Sequence, residues 1–170
     1  MILGMSISTF TQLHTILSLI GIAAGLVVLI GMTRSRRLEG LTVTFLVTTI
    51  LTSVTGFLFP FEQILPSHVF GILSLLVLTP AVLARYVYRL TGSWRWIYVV
   101  TAVFALYLNC FVGVVQAFLK IPFLTALAPA QSDPPFIIAQ LALLVIFVAL
   151  GVQAVRRFHP VIATTNFSAA

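Results

Sequence analysis

Six polar side chains stand out in a sequence that is otherwise almost wholly apolar: His14, Glu62, His68, Asn109, Gln116 and Gln140. Two imidazoles are enough to bind a metal ion in part, or to supply both axial ligands of a haem b, but they are too few for an ordinary structural zinc site. Glu62 stands six residues before His68, where a carboxylate could orient the ring or accept its proton. The two glutamines and the asparagine can hydrogen-bond a small ligand or fix an imidazole tautomer. The histidines lie 54 residues apart, a spacing that matches no motif. The chain also has no H-E-x-x-H, no glycine-rich phosphate loop, no Cys-x-x-Cys-His and no nucleophile elbow. Its one cysteine, Cys110, excludes an internal disulfide and any site built on several thiolates.

The elements that must position these groups follow from composition. Apolar residues make up 61% of the 170 and charged residues 7%, against about 25% in a soluble domain. Apolar runs, without charge apart from Arg85 and Arg89 late in the third, centre on about 10–32, 41–59, 69–90, 96–119 and 136–155, each long enough to cross a hydrocarbon core of about 30 Å as a helix. Barrel strands would instead alternate polar and apolar residues over about 10 positions. The expectation is a single all-α transmembrane domain of five helices, a polytopic bundle covering residues 1–170. No Lys or Arg precedes the first run and MTRSRRLEG follows it, the reverse of a secretory signal, so this run reads as a retained span.

Charge sets the orientation. Arg34, Arg36 and Arg37 follow the first run, Arg85, Arg89 and Arg95 surround the link between the third and fourth, and Arg156 and Arg157 follow the fifth. Five spans put all three clusters on one side, which predicts an outer, periplasmic N-terminus and a cytoplasmic C-terminus. The net charge of +6 then marks contact with anionic lipid at the cytoplasmic face, not a nucleic-acid footprint. Arg85, about four residues inside the third span, is expected to snorkel to the inner headgroups. Tyr86, Tyr88, Trp94, Trp96 and Tyr98 read as an inner aromatic belt, and Pro80 as a kink in the third helix. No buried acid, arginine or lysine is expected to mark an ion path.

On the outer side, Thr55 to Gly71 forms the turn between spans two and three, with Ser67 as N-cap. The second outer loop, Lys120 to Phe136, is apolar enough to lie on the membrane surface, and Asp133, Pro134 and Pro135 restart the last helix.

Residues three or four apart share a helix face. His14, Ser18, Gly21 and Gly25 form one such stripe, so His14 is expected to point at protein rather than lipid. Thr44, Thr48, Leu51 and Thr55 form a second, whose hydroxyls suit backbone bonding and helix packing. Asn109, Gly113, Gln116 and Lys120 form a third, and Gln140 begins a comparable face in span five. At 1.5 Å per residue, His14, Gln116 and Gln140 lie about 4 to 6 Å below the outer edges of their spans and Asn109 roughly 15 Å down. Spans one, three, four and five thus offer polar groups to one outer layer. That layer is either hydrogen-bonding glue between helices or the wall of a shallow outward-facing site.

The stretches GIAAG, RSRR, TSVTGF, PSHVFG, ALYLNCFV and QAFLKIPFLTALAPAQSDPPF together resemble a family of small bacterial multi-pass membrane proteins of unknown function. The first three spans more loosely resemble the domain-of-unknown-function 2306 type, in which a histidine early in the first helix precedes spaced small residues and a second histidine opens a later helix. The resemblance implies an inner-membrane protein and singles out His14, Gly21, Gly25 and His68. It implies no activity. Three functional classes fit: a non-enzymatic subunit or accessory protein, with a homo-oligomer or a membrane partner; a protein that binds or transports a small ligand; and a haem or metal redox protein using His14 and His68. Five spans divide poorly into the two halves of an inverted-repeat transporter and no charge is expected to mark an ion path, which favours the first.

Overall fold

The structure, a computed structural model, describes residues 2–59 and 66–159. Helix α1 (Ile7–Thr33) is followed by α2 (Glu39–Gly56), α3 (Pro66–Val82) and a π-helical turn, Leu83–Val87. Then come α4 (Trp94–Lys120), a short α5 (Pro122–Leu127) and α6 (Pro134–Arg157). Five of these elements are long and apolar enough to cross a membrane, α3 and the π-turn counting as one span. The chain is an all-α bundle of multi-spanning, membrane-type helices, with boundaries within a few residues of those read from hydropathy.

Local signals account for the helix ends. Ser6 accepts a hydrogen bond from the Thr9 amide at 3.1 Å and so caps α1. Asp133 is the N-cap of α6, directly before Pro134, and its Oδ2 accepts from the Ala130 amide at 2.7 Å, tightening the turn that enters the helix. Helix α3 begins at Pro66, which places Ser67 inside the first turn rather than at the N-cap. Part of the connection between the fourth and fifth spans folds into α5, whose Phe123 is 73% exposed.

Packing follows small residues. Helix α1 packs on α2 and α4, and α3 packs on α2 and α4, so the first four spans form a ring with α1 and α3 at opposite corners. Helix α6 lies against α1 and α4, outside that ring. The stripe of α1 faces inward: a Cβ on Gly25 would come within 2.5 Å of Leu106 Cδ1 and 2.8 Å of Phe45 Cδ2. Only a glycine admits that approach, and it consumes the Gly21–Gly25 face inside the chain. The ring's core is Phe45, Leu29, Leu106, Val99 and Tyr98, while the opposite faces of the helices present exposed apolar residues such as Leu76, Ile138 and Val145.

The end carrying the arginines is pinned by side chain to backbone bonds. Arg95 Nη1 donates to the carbonyls of Val155 at 3.0 Å and Phe158 at 2.8 Å, closing the C-terminus of α6 with a cation, and the His159 amide donates to Ser35 Oγ at 3.0 Å. All three arginine clusters therefore lie at one end of the bundle.

Two expectations at this end need correction. Arg85 does not snorkel: its side chain is 1% exposed, and Nη2 donates to Glu39 Oε2 at 2.7 Å and to the Arg37 carbonyl at 3.1 Å. Its guanidinium carbon sits 5.2 Å from the centroid of the Tyr98 ring. The reason lies in the π-turn beyond Pro80. Wider winding turns Arg85 toward α2, where the first acidic residue of that helix waits. The expectation of no buried arginine fails with it. Tyr98 likewise belongs to the core, fully buried under Phe158, whereas Tyr86, Tyr88 and Trp96 remain exposed as an aromatic belt would be.

Candidate functional site

At the other end, the ring of α1 to α4 encloses a cavity of about 630 Å³. Its size falls in the range of small-molecule sites. Four of the residues expected at a site line it: His14 from α1, His68 from α3, and Asn109 and Gln116 from α4. Gln140 does not line it. Helix α6 stands behind the seam of α1 and α4, so the amide of Gln140 reaches only the backbone, donating to the Phe111 carbonyl at 3.2 Å. Glu62 lies outside the described residues.

The fourth wall is α2, not the fifth span. Thr49, Thr52, Ser53 and Gly56 face the cavity. Sequence reasoning read the hydroxyls of TTILTSVTG as backbone-bonded glue, and many are: Thr48 donates to the Thr44 carbonyl at 2.7 Å, Ser53 to Thr49 at 2.9 Å and Thr55 to Leu51 at 2.7 Å. Bonding to its own helix does not stop a hydroxyl oxygen from also accepting. Thr11 and Thr15 of α1 and Ser74 of α3 were missed as wall residues. A signal was present for α1, since Thr11, His14, Thr15 and Ser18 recur at helical spacing on one side of the helix.

The floor is built where α1, α2 and α4 come closest. Ser18 Oγ donates to Asn109 Oδ1 at 3.0 Å, giving the deep amide the partner it needs in an apolar surrounding. Gly21 sits opposite: a Cβ there would come within 3.0 Å of Thr48 Oγ1, 3.2 Å of Thr49 Oγ1 and 3.3 Å of Asn109 Nδ2. The Asn109 Nδ2 and the hydroxyls of Thr49 and Thr52 are buried without a protein hydrogen bond among the described residues. From Asn109 up to Lys120 at the mouth, α4 rises about 16 Å along the cavity.

The histidine of α1 is held in one orientation. His14 Nδ1 lies 2.9 Å from Thr55 Oγ1, whose hydrogen is already donated to the Leu51 carbonyl. With its hydrogen on that carbonyl the threonine oxygen accepts from Nδ1–H, the arrangement of the tautomer whose lone pair is on Nε2. Phe59 meets the ring edge to face at 5.3 Å between centroids. Gly56 adds no side chain beside it; a Cβ there would stand 3.8 Å from His14 Cε1. His68 is 7% exposed and packs against Phe57, with ring centroids 5.9 Å apart.

The charge balance is one-sided. Lys120 is the charged residue among the described cavity walls, and no Asp, Glu or Cys accompanies it there. Glu39 is committed to Arg37 and Arg85, and Asp133 to the α6 turn, so no ion pair reaches Lys120 among the described residues. No group of three or more His, Cys, Asp or Glu able to hold a bare metal ion occurs among the described residues. Compared with protein-family models, curated proteins and solved structures, the chain matches none.

Proposed function

We propose that this is a multi-pass protein of the bacterial inner membrane that binds a small molecule in a cavity open to the periplasmic side. The N-terminus would be periplasmic, and the arginine end would meet anionic lipid at the cytoplasmic face. The observation that carries the reading is the cavity itself: about 630 Å³ enclosed by four helices, with His14, His68, Asn109 and Gln116 on its walls. A bundle held together by polar glue alone would close around those side chains, because interiors pack to near-crystal density and apolar residues were freely available to fill the space. The cavity favours ligand binding over the accessory-subunit reading that the span count and the lack of ion-path charges suggest.

Two experiments test the proposal. Small molecules extracted from protein purified in lipid nanodiscs are identified by mass spectrometry and compared with those from Gly113→Leu, which places a bulky side chain on the cavity wall. Recovery of a stoichiometric compound from the wild type and its loss from the variant support the reading; no retained compound in either sinks it. For orientation, alkaline phosphatase fused after Ala170 is expected to be inactive, and an active fusion would place the C-terminus outside.

A further inference from the structure

We propose that the cavity receives the headgroup of an anionic phospholipid, which enters sideways from the outer leaflet between the outer halves of α1 and α4 and leaves its acyl chains in the membrane. The proposal rests on the reading of this cavity as a ligand site and names the chemical class of its occupant.

The cavity is open on one flank. Every described wall residue from α2, α3 and the turn at Phe59 is buried or half-buried. The exposed wall residues all belong to α1 and the C-terminal end of α4: Thr15 and Leu19 on one side, Gln116, Lys120 and Ile121 on the other. Leu19 is 59% exposed, although it lies about 18 Å along α1 from Ile7. An opening at the end of the bundle would expose wall residues only near the helix ends. This one runs down the flank, where a membrane-spanning bundle meets lipid. Helix α6, packed outside the seam of α1 and α4, adds no residue to the described lining and leaves Leu19 exposed. Deeper in the bundle the two helices meet, with Ser18 Oγ donating to Asn109 Oδ1 at 3.0 Å.

The two sides of the gap differ chemically as a phospholipid requires. Behind it the buried wall carries hydroxyl and amide groups, among them Ser53, Ser74 and Asn109, an interior too polar for an acyl chain to be its natural occupant. At the gap itself Leu19 and Ile121 offer apolar side chains to lipid. Lys120 stands at the outer end of the same gap, one helical turn from Gln116, and no described carboxylate pairs with it. A phosphodiester supplies that missing charge, and the Gln116 amide can donate a hydrogen bond to it. An ammonium headgroup finds no carboxylate on the described walls, so an anionic headgroup such as phosphoglycerol fits better than a zwitterionic one. A soluble anion would account for Lys120 but not for a gap that opens on lipid.

The test uses full-length protein in phosphatidylcholine nanodiscs doped with photoreactive phosphatidylglycerol, its diazirine placed either on the headgroup or at mid-chain, with adducts mapped by peptide mass spectrometry. The headgroup probe is expected to label the buried walls around Ser53 and Ser74, and the chain probe to label Leu19 and its exposed neighbours. Lys120→Gln should cut headgroup labelling inside the cavity about tenfold and Lys120→Arg should keep it. Thr15→Trp, which crowds the gap from an exposed position, should abolish it. Arg156→Gln, at the opposite end, should leave it unchanged, which separates this site from lipid held by the arginines. Headgroup labelling confined to the exposed helix faces would mean ordinary boundary lipid and would overturn the proposal. Equal labelling by a phosphatidylcholine probe of the same design would do so too, by removing the selectivity for an anion. Labelling abolished by water-soluble glycerol phosphate yet unaffected by Thr15→Trp would point to a soluble anion and refute lateral entry. If a variant fails to fold, the wild-type adduct map and the comparison of the two lipid probes decide the question. Recovery of a stoichiometric compound other than a phospholipid would sink the proposal and leave the ligand site standing. With no compound retained and no label inside the cavity, both readings fall.

Discussion

Breaking the ion pair between buried Arg85 and exposed Glu39 should destabilise the bundle more when the acid is removed than when the base is. Arg85 is held by Glu39 Oε2 at 2.7 Å and the Arg37 carbonyl at 3.1 Å, with its Nε and Nη1 lacking partners among the described residues. Glu39→Gln removes the counter-charge and leaves a guanidinium with 1% exposure in an apolar end of the bundle. For charge centres about 4 Å apart, the attraction is about 1 kcal/mol under water-like screening and about 4 kcal/mol at an effective dielectric of about 20. The Glu39 side chain is 59% exposed, so the loss should fall between those limits, at about 2–3 kcal/mol. Arg85→Met removes the buried charge together with its two unpartnered nitrogens and fills similar volume, which makes it the milder change, about 1 kcal/mol or less. The double variant should lie near Arg85→Met, since Glu39, already largely in solvent, then has nothing left to neutralise at that position. Cys110 supplies the assay: it is the chain's one cysteine and is buried in α4, so a dye that fluoresces on reaction with thiols reports unfolding as the temperature rises. A Glu39→Gln midpoint equal to that of wild type, or an Arg85→Met midpoint lower than that of Glu39→Gln, would refute the reasoning.

Three further outcomes follow from the packing. Gly25→Val should cost about 1–3 kcal/mol by the same thiol assay, because its Cβ meets Leu106 and Phe45, whereas Gly40→Ala, with nothing within 4 Å of the added Cβ, should be neutral or slightly stabilising. Ser18→Ala should destabilise by about 1–3 kcal/mol by stripping the Asn109 amide of its partner; adding Asn109→Leu should recover part of that loss, and additive losses would argue against the bond. Arg95→Met should speed hydrogen exchange at the last turn of α6, where two carbonyls lose a charged donor, and leave the N-terminal half of α6 unchanged; uniform exchange along α6 would contradict the capping role.

What this sequence determined by itself is whatever depends on one segment and its solvent. Five apolar runs of spanning length must be helices in hydrocarbon, because each backbone polar group there needs a partner inside its own segment. The inward direction of His14 was legible for a similar reason: the small residues on its stripe mark the face where another backbone approaches, and Gly25 does lie against Leu106 and Phe45. The segmental reasoning also placed His14, His68, Gln116 and Gln140 in one layer, with Asn109 roughly 15 Å down, since depth is only helical rise counted from an end. Tertiary structure decided which of them meet. Depth carries no azimuth, so Gln140 shares the layer yet lies behind α4, while the hydroxyls of α2, which look like ordinary backbone-bonded residues, form a cavity wall. Arg85 shows the same limit at the other end. Local rules send a long cation to the nearest headgroups, but the π-turn after Pro80 rotates it toward Glu39, 46 residues earlier in the chain, and the pairing removes it from solvent. Proximity between residues far apart in sequence is set by how helices rotate about their own axes to pack small residues, and no single segment contains that information.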